Sequence, residues 1–410
     1  MKRLLFTFSK ETGRFIVYIV CYLIYPVSFL FVRNSKKYAF GSFRGSFNDN
    51  AKYLFIYTCH NHKDIDAVWL SLNRRTVKQI RSKGLKAYCT YTPKGIWHAL
   101  TSRYWFYNAY TSDIMFCLSG GAICINLWHG VGIKRIEYNI TTGPLSLRYQ
   151  KKDWREVFFH PESFRKPNYV ISSSTFQNHF FSTSFRIPES RCLMTGYPRN
   201  SILIANENVR TLFIQDYESE ETSTFIRKMK QFRNVLIYMP TWRDSQLSLF
   251  VENMDLNALN KVLANNNELL ILKPHANVPV SLDDSIYSNI CFIDGKVDIY
   301  PILPYTNVLI TDYSSIIYDY LLMPEKDVIL YIYDYNEYVA TRDFFYPYDE
   351  NIVGHRVFSF KDLLTCIDQH DYHLCPEDRE RIIDKFWGDT ALGNPNPSQR
   401  ILEQIESLSS

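Results

Sequence analysis

The sequence has little that is typical of a metal-binding, disulfide-bonded or dinucleotide-binding protein. Its nine cysteines are scattered singly, without a C-x-x-C pair, so neither a disulfide framework nor a zinc knuckle is indicated. Glycine accounts for only 15 of 410 residues and no G-x-G-x-x-G occurs, which argues against a dinucleotide-binding fingerprint. Lysine and arginine exceed aspartate and glutamate by only four, too few to indicate nucleic acid. We therefore expect a reducing, cytosolic environment, with no cofactor, metal or nucleic-acid partner.

Long hydrophobic runs are also scarce, and the clear exception lies near the N-terminus. Residues Phe15 to Val32 carry no charge, and lysines and arginines flank them on both sides. At 1.5 Å per residue such a helix would reach about 27 Å, slightly short of a bilayer core of about 30 Å, and Pro26 interrupts it. The segment predicts a monotopic or re-entrant anchor, with a single span and a buried core helix as alternatives.

Short apolar segments alternate with helical ones along the rest of the chain. The first series comprises Tyr38–Phe40, Ala67–Leu70, Ile114–Cys117, Ile123–Leu127 and Tyr169–Ser172, and the second comprises Val235–Tyr238, Glu268–Leu272, Val308–Ile310 and Val328–Tyr331. This alternation predicts two α/β domains with parallel sheets. We expect a membrane-associating segment at residues 1–37, domains at 38–215 and 216–385 joined through a polar stretch, and a helical tail at 386–410.

Three predicted strands of the second domain end in polar motifs. These motifs are Thr241 with Arg243, then Lys273-Pro274-His275, and then Thr311-Asp312-Tyr313-Ser314-Ser315. Carboxyl ends of parallel strands form the usual ligand site of α/β proteins. Such a set suits a nucleotide diphosphate without needing a metal, because Arg243 and His275 would neutralise charge while the Ser314 and Ser315 hydroxyls would hold phosphates. The alternative is that Asp312 or Ser314 merely caps the following helix.

Two further candidates lie in the first domain. His129 follows the strand Ile123–Leu127, between Trp128 and Gly130, where an imidazole could take a proton from an attacking hydroxyl. Arg199 lies in the turn Gly196-Tyr197-Pro198-Arg199-Asn200 and would suit a phosphate. A structural histidine and a surface arginine are the ordinary alternatives.

In combination these motifs resemble the CDP-glycerol glycerophosphotransferase family, which includes wall teichoic acid primases and polymerases and related capsule enzymes. The motifs that carry the resemblance are Trp128-His129-Gly130, Gly196 to Asn200, Pro240-Thr241-Trp242-Arg243-Asp244, Lys273-Pro274-His275, and Leu309 to Ser315 with Asp319, followed by Tyr333-Asp334, Tyr338 and Arg342-Asp343-Phe344. The match extends from about Tyr38 to about Tyr348. The resemblance implies a GT-B fold, two Rossmann-like domains facing a central cleft, and monotopic membrane association.

The same resemblance implies transfer of a polyol phosphate from a CDP-linked donor to a hydroxyl, with release of CMP. His129 is similar to the family's proposed general base, and His275 to its second essential histidine. Arg199, Thr241, Arg243, Asp312, Ser314 and Ser315 would form the donor site. We expect CDP-glycerol or a similar CDP-polyol as donor and a lipid-linked or polysaccharide acceptor, at the cytoplasmic face of the cell membrane.

Two departures from the family pattern leave the choice of donor open. The family often has Thr-Pro after Trp-His-Gly, where this chain has Val131-Gly132, and its second histidine usually lies in a His-Pro order, where this chain has Pro274-His275. The alternative function is that of a GT-B glycosyltransferase using a nucleotide sugar in surface polysaccharide synthesis. A non-catalytic membrane-bound partner in polymer assembly is a second alternative.

Overall fold

The computed structural model describes residues 2–241, 254–274, 286–295, 297–341, 344–391 and 396–408. The chain divides into two compact units. The first unit comprises Met1–His129, Arg135–Arg199 and Asn394–Ser410, and the second comprises Gly130–Lys134 and Asn200–Gly393. The domain limits expected from the sequence stay predictions.

The first unit is built on a seven-stranded sheet in the order β3-β2-β1-β4-β5-β6-β7. Its strands are β1 (Asn34–Phe40), β2 (Asp66–Ser71), β3 (Ala87–Cys89), β4 (Ser102–Tyr107), β5 (Ile123–Asn126), β6 (Tyr169–Ser172) and β7 (Cys192–Met194). Every neighbouring pair is parallel. All carboxyl ends therefore lie at one edge, where the loops carry the candidate residues of this unit.

The second unit has a six-stranded parallel sheet in the order β10-β9-β8-β11-β12-β13. Its strands are β8 (Asn234–Tyr238), β9 (Glu268–Leu272), β10 (Ile290–Phe292), β11 (Val308–Thr311), β12 (Asp327–Tyr331) and β13 (His355–Val357). The strands read as near-continuous apolar runs because helices cover both faces of a parallel sheet. The predicted α/β class with two parallel sheets is confirmed.

Helices connect the strands in both units. Those of the first unit are α1 (Lys2–Val27), α2 (Asp49–Asn61), α3 (Arg74–Ser82), α4 (Pro93–Thr101), α5 (Ser146–Tyr149), α6 (Trp154–Phe159) and α7 (Thr175–Phe185). Those of the second unit are α8 (Ser201–Ile204), α9 (Glu207–Tyr217), α10 (Glu220–Met229), α11 (Leu256–Asn266), α12 (Ile316–Tyr320), α13 (Tyr335–Thr341), α14 (Tyr348–Asn351), α15 (Phe360–Gln369) and α16 (Pro376–Phe386). The C-terminal helix α17 (Pro397–Ser407) returns to the first unit and packs against α2.

One predicted strand is wrong. Residues Ile114–Cys117 do not form a strand. They follow the short 3-10 turn Thr111–Asp113 and run into a second one, Phe116–Leu118. The buried Asp113 carboxylate accepts the backbone N–H groups of Asn108 and Ala109, at 3.1 and 2.9 Å. These bonds stabilise a turn in place of an extended segment. The apolar Ile114 side chain packs in the core beside the sheet.

The N-terminal helix α1 packs against the first unit along one face. Phe15 stacks on Phe158 with ring centroids 4.7 Å apart, and Tyr25 stacks on Phe116 at 4.8 Å. The Tyr22 hydroxyl donates to the Phe158 carbonyl at 3.2 Å. Among the described residues, Thr12–Leu30 is the segment long and apolar enough to cross a membrane, judged by length and composition. Its other face is exposed.

Candidate functional site

The first part of the candidate site is the turn that follows β5. Trp128 is buried and has a left-handed backbone, with φ of 44°, which costs a residue other than glycine about 1–3 kcal/mol. Its backbone N–H donates to the Asn126 side-chain oxygen at 2.8 Å, and its ring packs edge-on against Phe185. The exposed His129 imidazole stacks on the Trp128 ring at 4.1 Å. The buried tryptophan thus supports an accessible imidazole.

Three side chains hold the backbone of this turn, and we call them the β5 clamp: the buried Asn50 and Arg199 and the partly buried Asp49. The Asn50 amide donates to the carbonyls of Leu127 and Trp128, at 3.2 and 2.9 Å. Its oxygen accepts the backbone N–H of Arg199 at 3.2 Å. Asp49 and Asn50 stand at the start of α2, and no local sequence pattern indicates their contact with residues far along the chain.

Arg199 belongs to this clamp. Its side chain is 7% exposed, pairs with Asp49 at 2.7 Å and donates to the His129 carbonyl at 2.9 Å. These contacts connect the Arg199 side chain to the turn that carries His129. Its expected contact with a donor phosphate stays a prediction.

The second part of the candidate site is the carboxyl edge of the other sheet. The three strands with polar motifs, β9, β8 and β11, are adjacent. Tyr238 is in register with Leu272 on one side and with Ile310 on the other, so the loops that follow these strands start side by side. Of the predicted residues here, Thr241, Asp312, Ser314 and Ser315 are described, whereas Arg243 and His275 lie outside the described residues.

Asp312 connects two of these loops. Its carboxylate accepts the Thr241 hydroxyl at 2.6 Å, the Thr241 N–H at 2.8 Å and the N–H of Tyr313 at 2.5 Å. The Thr311 hydroxyl donates to the Met239 carbonyl at 2.7 Å. Charge-assisted hydrogen bonds of this kind are strong. Asp312 and Thr241 therefore fix the loop that presents the two serines.

Ser314 and Ser315 are half-buried, directly before α12. Ser315 makes no side-chain capping bond to the helix. Within the part of the chain that the structure describes, neither serine hydroxyl has a protein hydrogen-bond partner. Partly buried hydroxyls without partners can bind phosphate oxygens without first breaking an internal bond. The geometry thus favours ligand contact over simple capping.

Aromatic side chains pack against residues 312–315, which we call the serine loop. Tyr313 stacks on Tyr338 with centroids 3.7 Å apart, and its hydroxyl donates to Asp334 at 3.1 Å. Burial raises the pKa of Tyr313, and Asp334 raises it further, so the hydroxyl remains a donor. The Tyr348 hydroxyl donates to the Asp312 carbonyl at 2.9 Å. The Lys134 ammonium lies over the Tyr338 ring at 5.4 Å.

Two more motif residues are buried. Lys273 donates to the Gly295 carbonyl at 3.1 Å, and burial lowers its pKa to about 8 although Asp298 and Asp294 oppose the shift. Asp319 accepts hydrogen bonds from Asn200, at 3.1 Å, and from the Tyr300 hydroxyl. Both side chains bind groups of their own unit, which indicates a structural role.

Comparison with known proteins gives one consistent relationship. Residues 23–407 match the model of the family described as CDP-Glycerol:Poly(glycerophosphate) glycerophosphotransferase. The chain is 25% identical over 378 residues to a teichoic acid glycerol-phosphate transferase of Staphylococcus aureus, covering 89% of this chain and 92% of that protein. It is 26% identical over 337 residues to a teichoic acid poly(glycerol phosphate) polymerase of Staphylococcus epidermidis, covering 78% of this chain but only 43% of that protein.

Solved structures show the same relationship at the level of fold. A structure of the wall teichoic acid polymerase TagF superposes with a TM-score of 0.75 at 22% identity, covering 97% of this chain and 98% of that chain. A second TagF structure gives a TM-score of 0.71 at 23% identity, covering 92% and 91%. The predicted GT-B fold class is confirmed by this likeness.

Proposed function

Because the chain belongs to the CDP-glycerol:poly(glycerophosphate) glycerophosphotransferase family, we propose that it transfers glycerol phosphate, or a related polyol phosphate, from a CDP-linked donor to an acceptor hydroxyl. The product is a teichoic acid or a similar capsular or surface polymer, and CMP is released. The observation that carries the proposal is the carboxyl edge of β9, β8 and β11, where the Ser314 and Ser315 hydroxyls have no protein partner among the described residues.

In this reaction His129 takes the proton of the acceptor hydroxyl. The acceptor oxygen attacks the distal phosphorus of the donor, the bond from that phosphorus to the bridging oxygen breaks, and CMP leaves with that oxygen. Ser314 and Ser315 donate hydrogen bonds to the diphosphate, and Arg243 and His275 neutralise its charge. The β5 clamp and Asp312 act indirectly, since they hold His129 and the serine loop.

The proposed place of the reaction is the cytoplasmic membrane surface, where a lipid-linked acceptor would be available. We propose that α1 lies along this surface and does not span the bilayer. A spanning α1 would carry the packed helix α6 into the hydrocarbon, and α6 contains Arg155 and Glu156, whose burial in lipid is costly. The exposed apolar face of α1, which includes Ile16, Leu23 and Val27, would instead enter the interface.

The proposed function is tested with the purified chain and a panel of CDP-glycerol, CDP-ribitol and nucleotide sugars. We expect CMP release with one of the CDP-polyols, and loss of turnover in His129→Ala and His275→Ala variants that keep the wild-type melting temperature. Release of a nucleoside diphosphate from a nucleotide sugar would instead show a glycosyltransferase. Turnover at the wild-type rate in either variant would remove that histidine from the mechanism.

A further inference from the structure

The mechanism above leaves one exposed part of the first unit without a role. Loops after β1, β2 and β3 present what we call the β1–β3 surface, formed by Phe43, Arg44, Leu72, Arg74 and Tyr91. Phe43 is 51% exposed, Leu72 46% and Tyr91 44%. Large apolar side chains gathered at one exposed place commonly mark an interaction site.

Hydrogen bonds join these three loops into one preformed surface. The Ser71 hydroxyl at the end of β2 donates to the Gly45 carbonyl in the loop after β1, at 2.7 Å. The Arg74 guanidinium, at the start of α3, donates through Nε to the Tyr91 hydroxyl in the loop after β3, at 2.8 Å. The loops therefore form a continuous surface, and binding there would cost little ordering.

The charged side chains of these three loops are all basic. Arg44 lies over the Phe43 ring at 5.0 Å and Arg74 over the Tyr91 ring at 5.5 Å. Arg75 and Lys94 add two more exposed cations, and residues 41–48, 72–75 and 90–94 include no aspartate or glutamate. Arginine presented on an aromatic ring suits phosphate groups, and the ring itself can pack against a sugar or polyol chain.

The β1–β3 surface shares its edge of the sheet with His129. Strand β1 pairs with β4, and β4 pairs with β5, which leads into His129. Neighbouring strands lie about 4.8 Å apart, so the surface begins about 10 Å from β5 and ends, at β3, about 19 Å from it. A chain whose reactive end lies at His129 would extend over these loops.

We propose that the β1–β3 surface is the binding site for the acceptor of the proposed reaction, a polyol or glycan chain with phosphate groups. Arg44 and Arg74 pair with its phosphates, and Phe43 and Tyr91 contact its polyol or sugar units. The identification of the bound chain as the acceptor rests on the proposed function. Binding of the chain to this surface can be measured without any turnover.

The test compares two double variants by fluorescence anisotropy with a short fluorescein-labelled glycerol phosphate oligomer as probe. Arg44→Ala with Arg74→Ala removes two cations from the surface. Arg103→Ala with Arg191→Ala removes two exposed arginines from the amino edge of the same sheet. We expect the first variant to bind the oligomer about tenfold more weakly, since two partly exposed ion pairs are together worth about 1.4 kcal/mol. We expect the control to bind as wild type does.

Equal binding by all three proteins, or equal weakening in both variants, would overturn the inference, as would the absence of binding to the wild type. If the first variant lost binding to phosphatidylglycerol vesicles and kept the oligomer, the surface would be a lipid site and the inference would be wrong. CMP release from CDP-glycerol is followed in parallel. If CMP release is normal and the Arg44→Ala, Arg74→Ala variant binds the oligomer as the wild type does, only this inference is overturned. If oligomer binding depends on Arg44 and Arg74 but no CMP is released, only the proposed function is overturned.

Discussion

Replacement of Asn50 by alanine should lower the catalytic rate, because His129 loses its position, while the protein stays folded. Asn50 is fully buried and makes three side-chain hydrogen bonds, to the carbonyls of Leu127 and Trp128 and from the N–H of Arg199. At about 1 kcal/mol each, their loss should lower the free energy of unfolding by about 3 kcal/mol. A domain of ordinary stability, about 5–15 kcal/mol, would still be folded.

The effect on catalysis should be larger than this loss of stability suggests. Trp128 holds a left-handed backbone with φ of 44°, a conformation that persists only where its surroundings impose it. Without Asn50 the turn can relax and carry His129 away from its position. A displacement of about 1 Å can cost about 100-fold in rate. We therefore expect kcat to fall about 100-fold, with little change in the donor KM, since the proposed donor contacts are in the other unit.

The assay is steady-state CMP release, at a temperature where urea titration shows each variant fully folded. Asn289→Ala serves as the control, because Asn289 is also buried and donates to a backbone carbonyl, that of Glu268, at 2.7 Å. It should lose stability but keep its kcat. An Asn50→Ala protein with wild-type kcat would refute the positioning role, and an equal fall in Asn289→Ala would trace the effect to general destabilisation.

Three further predictions concern other parts of the chain. Thr241→Val removes the hydroxyl that donates to Asp312 at 2.6 Å; it should raise the donor KM about tenfold with kcat retained, and an unchanged KM would separate this loop from the donor site. Lys273 has a folded pKa of about 8 against an ordinary 10.5, so the unfolded chain binds more protons between these values. Unfolding titrations should show the wild type gaining stability relative to Lys273→Met as the pH rises above 8, and a constant difference would contradict the burial. Leu23→Glu on the exposed face of α1 should reduce sedimentation with anionic vesicles, whereas Leu212→Glu, on exposed α9, should not; equal effects would argue against an interfacial α1.

The parts of the fold that could be predicted from sequence were those dominated by local pattern. Glu268–Leu272 and Val308–Thr311 were recognisable because a parallel strand buried on both faces is a short apolar run. Ser102–Tyr107 was missed because only its last four residues form an apolar run, and Ile114–Cys117 was misread because a buried turn can be equally apolar. Length and composition do not distinguish these cases.

The candidate site shows the same limit. That Thr241 and Asp312 follow strands was visible in the sequence, but that β8 lies between β9 and β11 follows only from the order of strands in the sheet. Asn50 contacts the turn 77 and 78 residues away along the chain. Such contacts leave no local pattern, and this is why the β5 clamp was missed.

The most direct test of the account is the ³¹P NMR spectrum of products formed by the purified chain from CDP-glycerol and a glycerol phosphate oligomer. Attack at the distal phosphorus predicts a new phosphodiester signal and an equal amount of CMP, a phosphomonoester, and neither should form with His129→Ala. Formation of CDP, with its two diphosphate signals, would show that a carbon–oxygen bond had been broken and would contradict phosphoryl transfer.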